Sequence, residues 1–460
     1  MINKIKVSVL IYVLNGLPYI KKCIRSVMNQ TLQELEILVV DGGSTDGTLE
    51  IIKELAHSDT RIRLIHSAPG VGLQFNTGLR EAKGEYIGIC ESDDYLLPDM
   101  YEKQYKIAEQ YQLDSLRADA NHFVEDRNGK EYAFHVDLSK ENGLYDCVLN
   151  LTEDSRVVEL GVNSFWSGLY RRDFLLNEKL FMNETKGAAY QDTTFSFLTA
   201  IKAKRAMLSR KAFYCYRLDN PNSSVNNPKR ITMLTEEYRL LKKRLEEEGL
   251  FEKYRDTLFS WRVRGHLGFY DSLSEKLKKE YVPLMRQDLL IDMLPEGLWE
   301  KGLSEKEREV VIRAGWSEEE LAEYLEQIYR ELEVMYCRLE QIKEKVPIVI
   351  FGCGALGKLV YRYLTFTDRK AAAYADNDSK LWGTYMGSVP VLRPEETVRL
   401  FPDGVYIIAN AEHFKEIQGQ LEQYGIHNGN MIVCNDYGFF FKHVLLKRTL
   451  KNEDDNAGIL

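Results

Sequence analysis

Hydrophobic positions in the first hundred residues alternate between continuous apolar runs and helical spacing. The continuous runs predict strands over 7–11, 35–40, 63–66 and 85–90. Apolar residues at three- and four-residue steps, such as Ile20, Ile24 and Val27, predict a helix after the first strand. Further helices are predicted over 49–56, 75–82 and 100–111. This alternation predicts a largely parallel sheet with helices packed on it.

The pattern changes twice further along the chain. It is mixed from 112 to about 228, where clustered Pro and Asn residues indicate a boundary. Residues 231–345 are charged and amphipathic, and 318–345 reads as one long helix, either a spacer or a pairing surface for oligomerisation. From Val346 strand and helix signals alternate again. The sequence therefore predicts domains at 1–230, 231–345 and 346–436, and a tail at 437–460.

Composition narrows the class of protein. The 460 residues carry a formal net charge of -9, with 44% hydrophobic and 28% charged residues. These values are typical of a globular protein and argue against a nucleic-acid binder, which would present a basic face. Seven cysteines without a CxxC pair predict free thiols in a reducing compartment. No apolar run approaches the roughly 20 residues of a membrane span, so a cytoplasmic location is expected.

The stretch EYIGICESDDYLLP places three carboxylates, Glu91, Asp93 and Asp94, directly after an apolar strand. Crowded like charges raise one another's pKa, so the cluster needs an opposite charge. The stretch itself contains no cation. Carboxylates bind hard divalent cations, and such cations usually keep substrate phosphates as further ligands. A divalent ion that carries a diphosphate is therefore expected, with a solvated turn capped by Asp94 as the alternative.

Other polar turns are expected at the same edge of the sheet. Ligands of open parallel sheets bind beyond the carboxyl ends of the strands, where loops converge. The turns predicted there are 12–18, 41–47, 69–76 and 91–97. They bring Asp41, Asn76 and several glycines, including Gly72, toward the acidic trio, and glycine lets backbone approach a ligand closely.

Five motifs, in order, resemble those of the family 2 glycosyltransferases of the GT-A fold. They are VSVLIYVLNGLPYIKKCIRSVMNQT, EILVVDGGSTDGT, GVGLQFNTGLREAKGEYIGICESDD, YQDTTF and FYCYRLDNPNSSV. The resemblance covers roughly the first half of the chain. It implies a GT-A domain that moves a sugar from a nucleoside-diphosphate sugar to a saccharide or lipid-linked hydroxyl acceptor, with inversion, in bacterial polysaccharide or glycoconjugate biosynthesis.

The resemblance also implies roles for individual residues. Glu91-Ser92-Asp93 occupies the DxD position, so Asp93 and Asp94 would bind Mn²⁺ or Mg²⁺. Asp192 would be the general base, and Trp166 would lie near the acceptor. The donor-binding residues implied by the turns and the resemblance together are Tyr12, Asn15, Asp41, Gly72, Asn76, Glu91, Ser92 and Arg217.

Other interpretations of these residues stay open. Asp192 could instead be the N-cap of a helix, Trp166 a core aromatic and Arg217 half of a surface ion pair. Some positions depart from the family pattern, and a weakened glycosyltransferase fold that acts as a binding or scaffold subunit would explain them. The departing positions are Tyr12, Leu14, Gly42, Phe75, Glu91 and Gln191.

The C-terminal region carries its own glycine motif. Gly352, Gly354 and Gly357 follow a strand and open a helix, and Asp376 ends the next strand, where it could bind a ribose hydroxyl. The region resembles Rossmann-like modules of bacterial surface-polysaccharide proteins. It could bind NAD(P), which would make the enzyme bifunctional, or serve as a structural or small-ligand module. The aromatic and basic tail could touch an anionic membrane or pack on its own domain.

Overall fold

The computed structural model describes residues 4–125, 129–139, 142–159, 164–187, 189–222, 228–291, 302–367 and 369–434. Its contacts divide the chain into two compact units, Met1–Leu321 and Ala322–Leu460. Residues 231–321, expected to form a separate helical region, belong to the first of these units. The finer division into four parts stays a prediction.

The described part of the first unit contains a nine-stranded sheet of mixed direction. Its strands are β1 (Val7–Val13), β2 (Leu35–Asp41), β3 (Ile62–His66), β4 (Tyr86–Ile89), β5 (Tyr95–Leu96), β6 (Ser115–Glu125), β7 (Glu131–Val136), β8 (Leu169–Arg171) and β9 (Ala206–Arg217). The order is β3-β2-β1-β4-β8-β6-β9-β5, with β7 paired to β6. Strands β1 to β4 are parallel, as predicted. The antiparallel β8 then joins β4 to β6, which explains the mixed pattern after residue 112.

Helices surround this sheet and continue beyond it. Those that begin in the first unit are α1 (Ile20–Met28), α2 (Thr48–Ser58), α3 (Val71–Glu81), α4 (Met100–Gln110), α5 (Arg156–Glu159), α6 (Arg172–Asn177), α7 (Asp192–Lys202), α8 (Met233–Glu247), α9 (Phe251–Asp271), α10 (Glu275–Ile291), α11 (Glu305–Trp316) and α12 (Glu318–Glu340). Helix α1 buries Ile20, Cys23, Ile24 and Val27, the face that the spacing predicted. Helix α12 ends at Glu340, five residues before the predicted end.

The start of α3 corrects the sequence prediction. A turn was expected over 69–76, but the helix already begins at Val71, directly after Gly70 at φ 140°. Gln74 explains the early start. Its side-chain amide donates to the carbonyl oxygens of Val13 (2.8 Å) and Val40 (2.9 Å), which fastens the first turn of α3 to the ends of β1 and β2.

The second unit has its own parallel-rich sheet, which confirms a second α/β domain. Its elements after α12 are β10 (Ile348–Phe351), α13 (Ala355–Phe366), β11 (Ala371–Ala375), β12 (Tyr385–Met386), β13 (Val389–Leu392), α14 (Pro394–Leu400), β14 (Val405–Ala409), α15 (Phe414–Gln423) and β15 (Met431–Cys434). The strand order is β12-β13-β11-β10-β14-β15. Only β12, among the described strands of this sheet, runs antiparallel to its neighbour.

Two further expectations concern the whole chain. In the described residues, no helix is long and apolar enough to cross a membrane. The seven cysteines are free thiols, and most are buried, as expected. The tail at 437–460, and with it the expected membrane contact, lies outside the described residues.

Candidate active site

The acidic trio lies at the carboxyl end of β4, and its third member is turned into the protein. Asp94 is buried, and its carboxylate accepts hydrogen bonds from the Tyr214 hydroxyl and the Arg217 backbone N–H, each at 2.7 Å. The backbone N–H of Glu91 donates to the same Tyr214 hydroxyl at 2.9 Å. Burial raises the pKa of Asp94 well above its usual range. Asp94 therefore holds the loop in shape, and it does not cap α4, whose N-cap is Asp99.

Glu91 and Asp93 are the members of the trio that remain open to a ligand. A Glu91 carboxylate oxygen accepts from the Tyr12 hydroxyl at 2.9 Å, and an Asp93 oxygen accepts from the Asn220 amide at 2.7 Å. Burial, reinforced by the neighbouring Asp93, raises the pKa of Glu91 to about 8. Burial also raises the pKa of Asp93. Two half-buried carboxylates thus repel one another at this edge.

Arg217, the expected diphosphate contact, has its guanidinium occupied within the protein. It donates to Glu125 and Asp219, each at 3.0 Å, and its side chain is 3% exposed. Its Nε also donates to the Asp93 backbone carbonyl oxygen at 3.2 Å. The surface-pair interpretation is therefore wrong, because these ion pairs are largely buried. Arg217 fastens the end of β9 to the acidic loop.

The carboxylates of Glu91 and Asp93 fit an oxygen-preferring divalent cation. Within the described residues, no lysine or arginine side chain forms an ion pair with either of them. Buried carboxylates that lack a cationic partner are costly unless a metal or a proton neutralises them. The raised pKa values of Glu91 and Asp93 express this cost.

A second group of ligand-forming side chains lies elsewhere in the first unit. Asp119, His135 and Asp137 place one ligand atom each within 4.8 Å of one another. His135 Nε2 lies 2.8 Å from Asp119 Oδ2, and Asp119 Oδ1 accepts from the Tyr145 hydroxyl at 2.7 Å. The hydrogen bond to Asp119 raises the pKa of His135 to about 9. The group fits a metal ion when the imidazole is neutral, and it forms an ion pair when the imidazole is protonated.

Asp41 and Asn15, two expected donor contacts, organise the loop after β2. The buried Asp41 carboxylate accepts from the backbone N–H groups of Gly43 (3.0 Å) and Ser44 (3.2 Å). Asn15, at φ 56°, accepts from the Thr45 backbone N–H at 2.8 Å. These bonds join the first two loops at the carboxyl edge, so both residues shape the wall of the site.

Gly72 and Asn76 face the protein rather than a ligand, which corrects the expectation for both. A Cβ on Gly72 would lie 1.9 Å from the Asn183 backbone oxygen, so the glycine permits a close backbone crossing. The buried Asn76 amide donates to the Met182 carbonyl oxygen (2.9 Å) and accepts from the Met182 N–H (3.0 Å). Both residues fix residues 182–187, which we name the 182–187 segment.

The expected general base, Asp192, is the first residue of α7. Burial raises the pKa of its carboxyl to about 6. Its charge contributes to the raised pKa values of Tyr12 and Glu91, which places it on the same side as the acidic loop. The N-cap interpretation of Asp192 is wrong, because Gln191 occupies the N-cap position and Asp192 lies inside the helix.

Gln191 replaces the first acid of the family pattern and has a structural role here. Its carbonyl oxygen accepts from the Gly72 backbone N–H at 2.8 Å. Its amide nitrogen donates to the Thr185 and Gly187 carbonyl oxygens at 2.5 Å and 3.2 Å. A neutral amide supplies both a donor and an acceptor, which a carboxylate would not. Gln191 thus fastens the 182–187 segment to the start of α3.

Trp166, the expected acceptor contact, is 6% exposed and lies in an aromatic stack. Its ring stacks on Tyr216 at a centroid distance of 5.1 Å and an angle of 6°, and it lies 4.2 Å from the Tyr214 ring. Since the Tyr214 hydroxyl also donates to Asp94, the aromatic stack supports the acidic loop. Ser92, an expected donor contact, is half-buried in that loop.

Glu237 in α8 belongs to this site but was not predicted from the sequence. The buried carboxylate accepts from the Asn183 amide and the Thr185 hydroxyl, each at 2.6 Å. Burial raises the pKa of Glu237 to about 7, and the charge of Asp192 adds to the shift. No signal in the charged helical sequence distinguishes Glu237 from its neighbours, because only the fold brings it to residues 183 and 185.

Comparisons with known proteins show which proteins this chain resembles. Residues 8–174 match the family model described as glycosyl transferase family 2. The chain is 32% identical over 226 residues to the uncharacterized glycosyltransferase EpsJ of Bacillus subtilis. The aligned region is 48% of this chain and 63% of EpsJ. It is 25% identical over 305 residues to the uncharacterized glycosyltransferase YibD of Escherichia coli. The aligned region is 64% of this chain and 86% of YibD.

Two further similarities are more local or more distant. A chondroitin synthase of Escherichia coli is 42% identical over 97 residues, 21% of this chain and 14% of that protein. Among solved structures, residues 1–349 of S. aureus TarS in complex with UDP-GlcNAc align with a TM-score of 0.52 at 20% identity, over 74% of this chain and 93% of that chain. This structural similarity supports the fold alone. The chain spans less than two thirds of EpsJ.

Proposed function

We propose that this chain, a glycosyltransferase whose residues 8–174 form a family 2 domain of the GT-A fold, moves a hexose from a nucleoside-diphosphate sugar to a hydroxyl acceptor in polysaccharide assembly. The observation that carries the proposal is the pair of half-buried carboxylates Glu91 and Asp93 at the carboxyl edge of the parallel strands, with Asp192 on the same side. The UDP-GlcNAc complex of TarS and the local similarity to a chondroitin synthase support a nucleotide-sugar donor.

Asp93, with Glu91 beside it, would hold the divalent cation, Mn²⁺ or Mg²⁺. A cation bound there would stabilise the charge of the departing diphosphate. Tyr12 orients Glu91 through its hydroxyl, and Tyr214 holds the loop between Glu91 and Asp94. The chain's own residues thus fix both open carboxylates before any ligand arrives.

Asp192 would accept the proton of the attacking hydroxyl. With a pKa of about 6, its carboxyl is mostly ionised at neutral pH and is a stronger base than an exposed aspartate. Its position at the start of α7 is fixed by Gln191 and the 182–187 segment. Attack from the face opposite the leaving diphosphate would invert the anomeric configuration.

The test uses the full chain with a panel of nucleotide sugars, with Mn²⁺, Mg²⁺ or EDTA, and follows release of the nucleoside diphosphate. We expect metal-dependent turnover, loss of turnover in Asp93→Asn, and retention in the matched control Asp137→Asn, which alters the other acidic group. Proton NMR of the glycoside should show an inverted anomer. A retained anomer, full activity in EDTA, or loss only in Asp137→Asn would contradict the proposal.

A binding or scaffold subunit is the second candidate. Asn76, Gln191 and Arg217 are all used in internal bonds, which leaves fewer side chains for a donor. A thermal shift with a nucleotide sugar and Mn²⁺, without hydrolysis or transfer to any acceptor of a saccharide and lipid-linked panel, would favour this candidate. The acceptor, the oligomeric state and the cytoplasmic location stay predictions.

A further inference from the structure

The second unit contains a cavity of about 470 Å³ that the proposed transfer reaction does not use. It lies where the loops after β10, β11 and β14 meet. Strand β10 is central, and its neighbours β11 and β14 continue the sheet in opposite directions. Such a point in a parallel sheet is where small ligands bind. Its lining residues are Phe351, Gly352, Asp376, Asn377, Asn410, His413, Glu416, Ile417 and Gln420.

The charges of this lining disfavour a dinucleotide. The described lining residues include the carboxylates of Asp376 and Glu416 and neither lysine nor arginine. The N–H of Cys353, which precedes the first turn of α13, already donates to Asp376 Oδ2 at 2.7 Å. A carboxylate therefore lies beside the start of α13, where its charge repels a phosphate at the helix N-terminus. Exposed Lys358, one turn into α13, is not part of the lining.

The same lining suits hydroxyl groups. Asp376 accepts one backbone N–H on each oxygen, from Cys353 (2.7 Å) and Asp378 (2.9 Å), and its carboxylate is also hydrogen-bonded to the Cys353 thiol. A carboxylate has about four acceptor positions, so one remains for a ligand hydroxyl. Across the cavity, the amides of Asn377 and Gln420 donate to each other, each at 3.0 Å, which fixes their orientation. A rigid carboxylate beside rigid amides can accept from and donate to adjacent hydroxyls.

Apolar side chains close the cavity on the protein side. Phe351 and Ile417 are 1% and 5% exposed, so they form a fixed floor and offer little surface themselves. His413 Nδ1 lies 3.2 Å from a Glu416 carboxylate oxygen, so these two side chains contact each other.

We propose that this cavity binds the vicinal hydroxyls of an uncharged sugar ring, in a saccharide or a nucleoside, with Asp376 as the principal acceptor. This replaces the expected NAD(P) site at Gly352, Gly354, Gly357 and Asp376. Gly357 permits a close backbone crossing, because a Cβ on it would lie 1.9 Å from the Gly352 backbone oxygen. The proposal does not depend on the glycosyltransferase site.

The experiment is ligand-observed saturation-transfer NMR and calorimetry on the full chain. The probes are methyl β-D-glucopyranoside, adenosine, 2′,3′-dideoxyadenosine and NAD⁺. We expect binding of the glucoside, adenosine or both, no binding of the dideoxynucleoside, and NAD⁺ weaker than adenosine. Asp376→Asn should weaken binding at least tenfold, and Asp93→Asn, in the first unit, should leave it unchanged. The two diol probes distinguish a saccharide from a nucleoside.

Several results would overturn the proposal. They are tighter binding of NAD⁺ than of adenosine, equal binding of the dideoxynucleoside, unchanged affinity in Asp376→Asn, or no binding of either diol at millimolar concentration. Because Asp376 also holds two backbone groups, its variant could lose the fold. Glu416→Gln removes a charge from a side chain that is 78% exposed, so its fold is safe. It should strengthen NAD⁺ binding and leave diol binding unchanged, and an unchanged NAD⁺ affinity would refute the charge argument.

Discussion

Substitution of Gly72 by alanine tests how the 182–187 segment crosses α3. The added Cβ would lie 1.9 Å from the Asn183 carbonyl oxygen and 2.8 Å from its carbonyl carbon. Since such contacts are not tolerated below about 3 Å, the backbone must move by roughly 1 Å. It cannot move freely, because Asn76 makes two hydrogen bonds to Met182 and Glu237 accepts from Asn183.

The size and sign of the effect follow from two opposed contributions. Alanine in place of glycine favours a helix by up to about 1 kcal/mol. Overpacking against fixed backbone costs typically about 1–3 kcal/mol. We therefore expect a net loss of about 1–2 kcal/mol, which lowers Tm by several degrees at about 2–4 °C per kcal/mol.

The matched control is Gly268→Ala in α9, where an added Cβ meets no atom within 4 Å. It should raise Tm by a few degrees, because the propensity gain of up to about 1 kcal/mol is unopposed. Differential scanning fluorimetry and urea denaturation measure both variants. If Gly72→Ala were as stable as Gly268→Ala and lost only affinity for the nucleotide sugar, Gly72 would be a donor contact and the packing argument would be refuted.

Three further predictions concern the same site. The kcat/KM of transfer should rise with pH through about 6, because Asp192 loses its proton there. Asp192→Asn should abolish turnover with the fold intact. A kcat/KM that does not change with pH in this range would contradict the role of Asp192 as base. Folding raises the pKa of Glu237 from 4.5 to about 7, so the native state holds an extra proton between these values. The free energy of unfolding therefore falls as pH rises through this window. Glu237→Gln should reduce the slope of this free energy against pH, measured by urea denaturation, and an equal slope would refute the assignment. Trp166→Ala should cost about 3–5 kcal/mol of stability, and Trp316→Ala, whose side chain is 60% exposed, far less. A stable Trp166→Ala with a raised acceptor KM would favour the predicted acceptor role over a core role.

The sequence was informative where local pattern decides structure. Continuous apolar runs identified β1 to β4, and parallel pairing then placed Glu91, Asp41 and Tyr12 at one edge. The order of strands and helices after residue 346 identified the second α/β domain in the same way.

It failed where a side chain's partner lies far away in the chain. Asn76 and Met182 are 106 residues apart, and Arg217 and Glu125 are 92 residues apart. No local sequence pattern could therefore indicate that these side chains form hydrogen bonds within the protein. The early start of α3 has the same origin, since Gln74 finds its acceptors on β1 and β2. Motif positions indicate which residues line an edge, whereas their orientation is set by tertiary contacts.

The 182–187 segment bears on where the proposed transferase domain ends. The family match stops at residue 174, yet Gln191 and Asp192 follow it. Glu237, whose carboxylate braces the 182–187 segment, follows it as well. A fragment cut at residue 230 would keep every motif and still lose that brace. Expression boundaries therefore have to extend through Glu247, the end of α8, for the proposed transfer site to be whole.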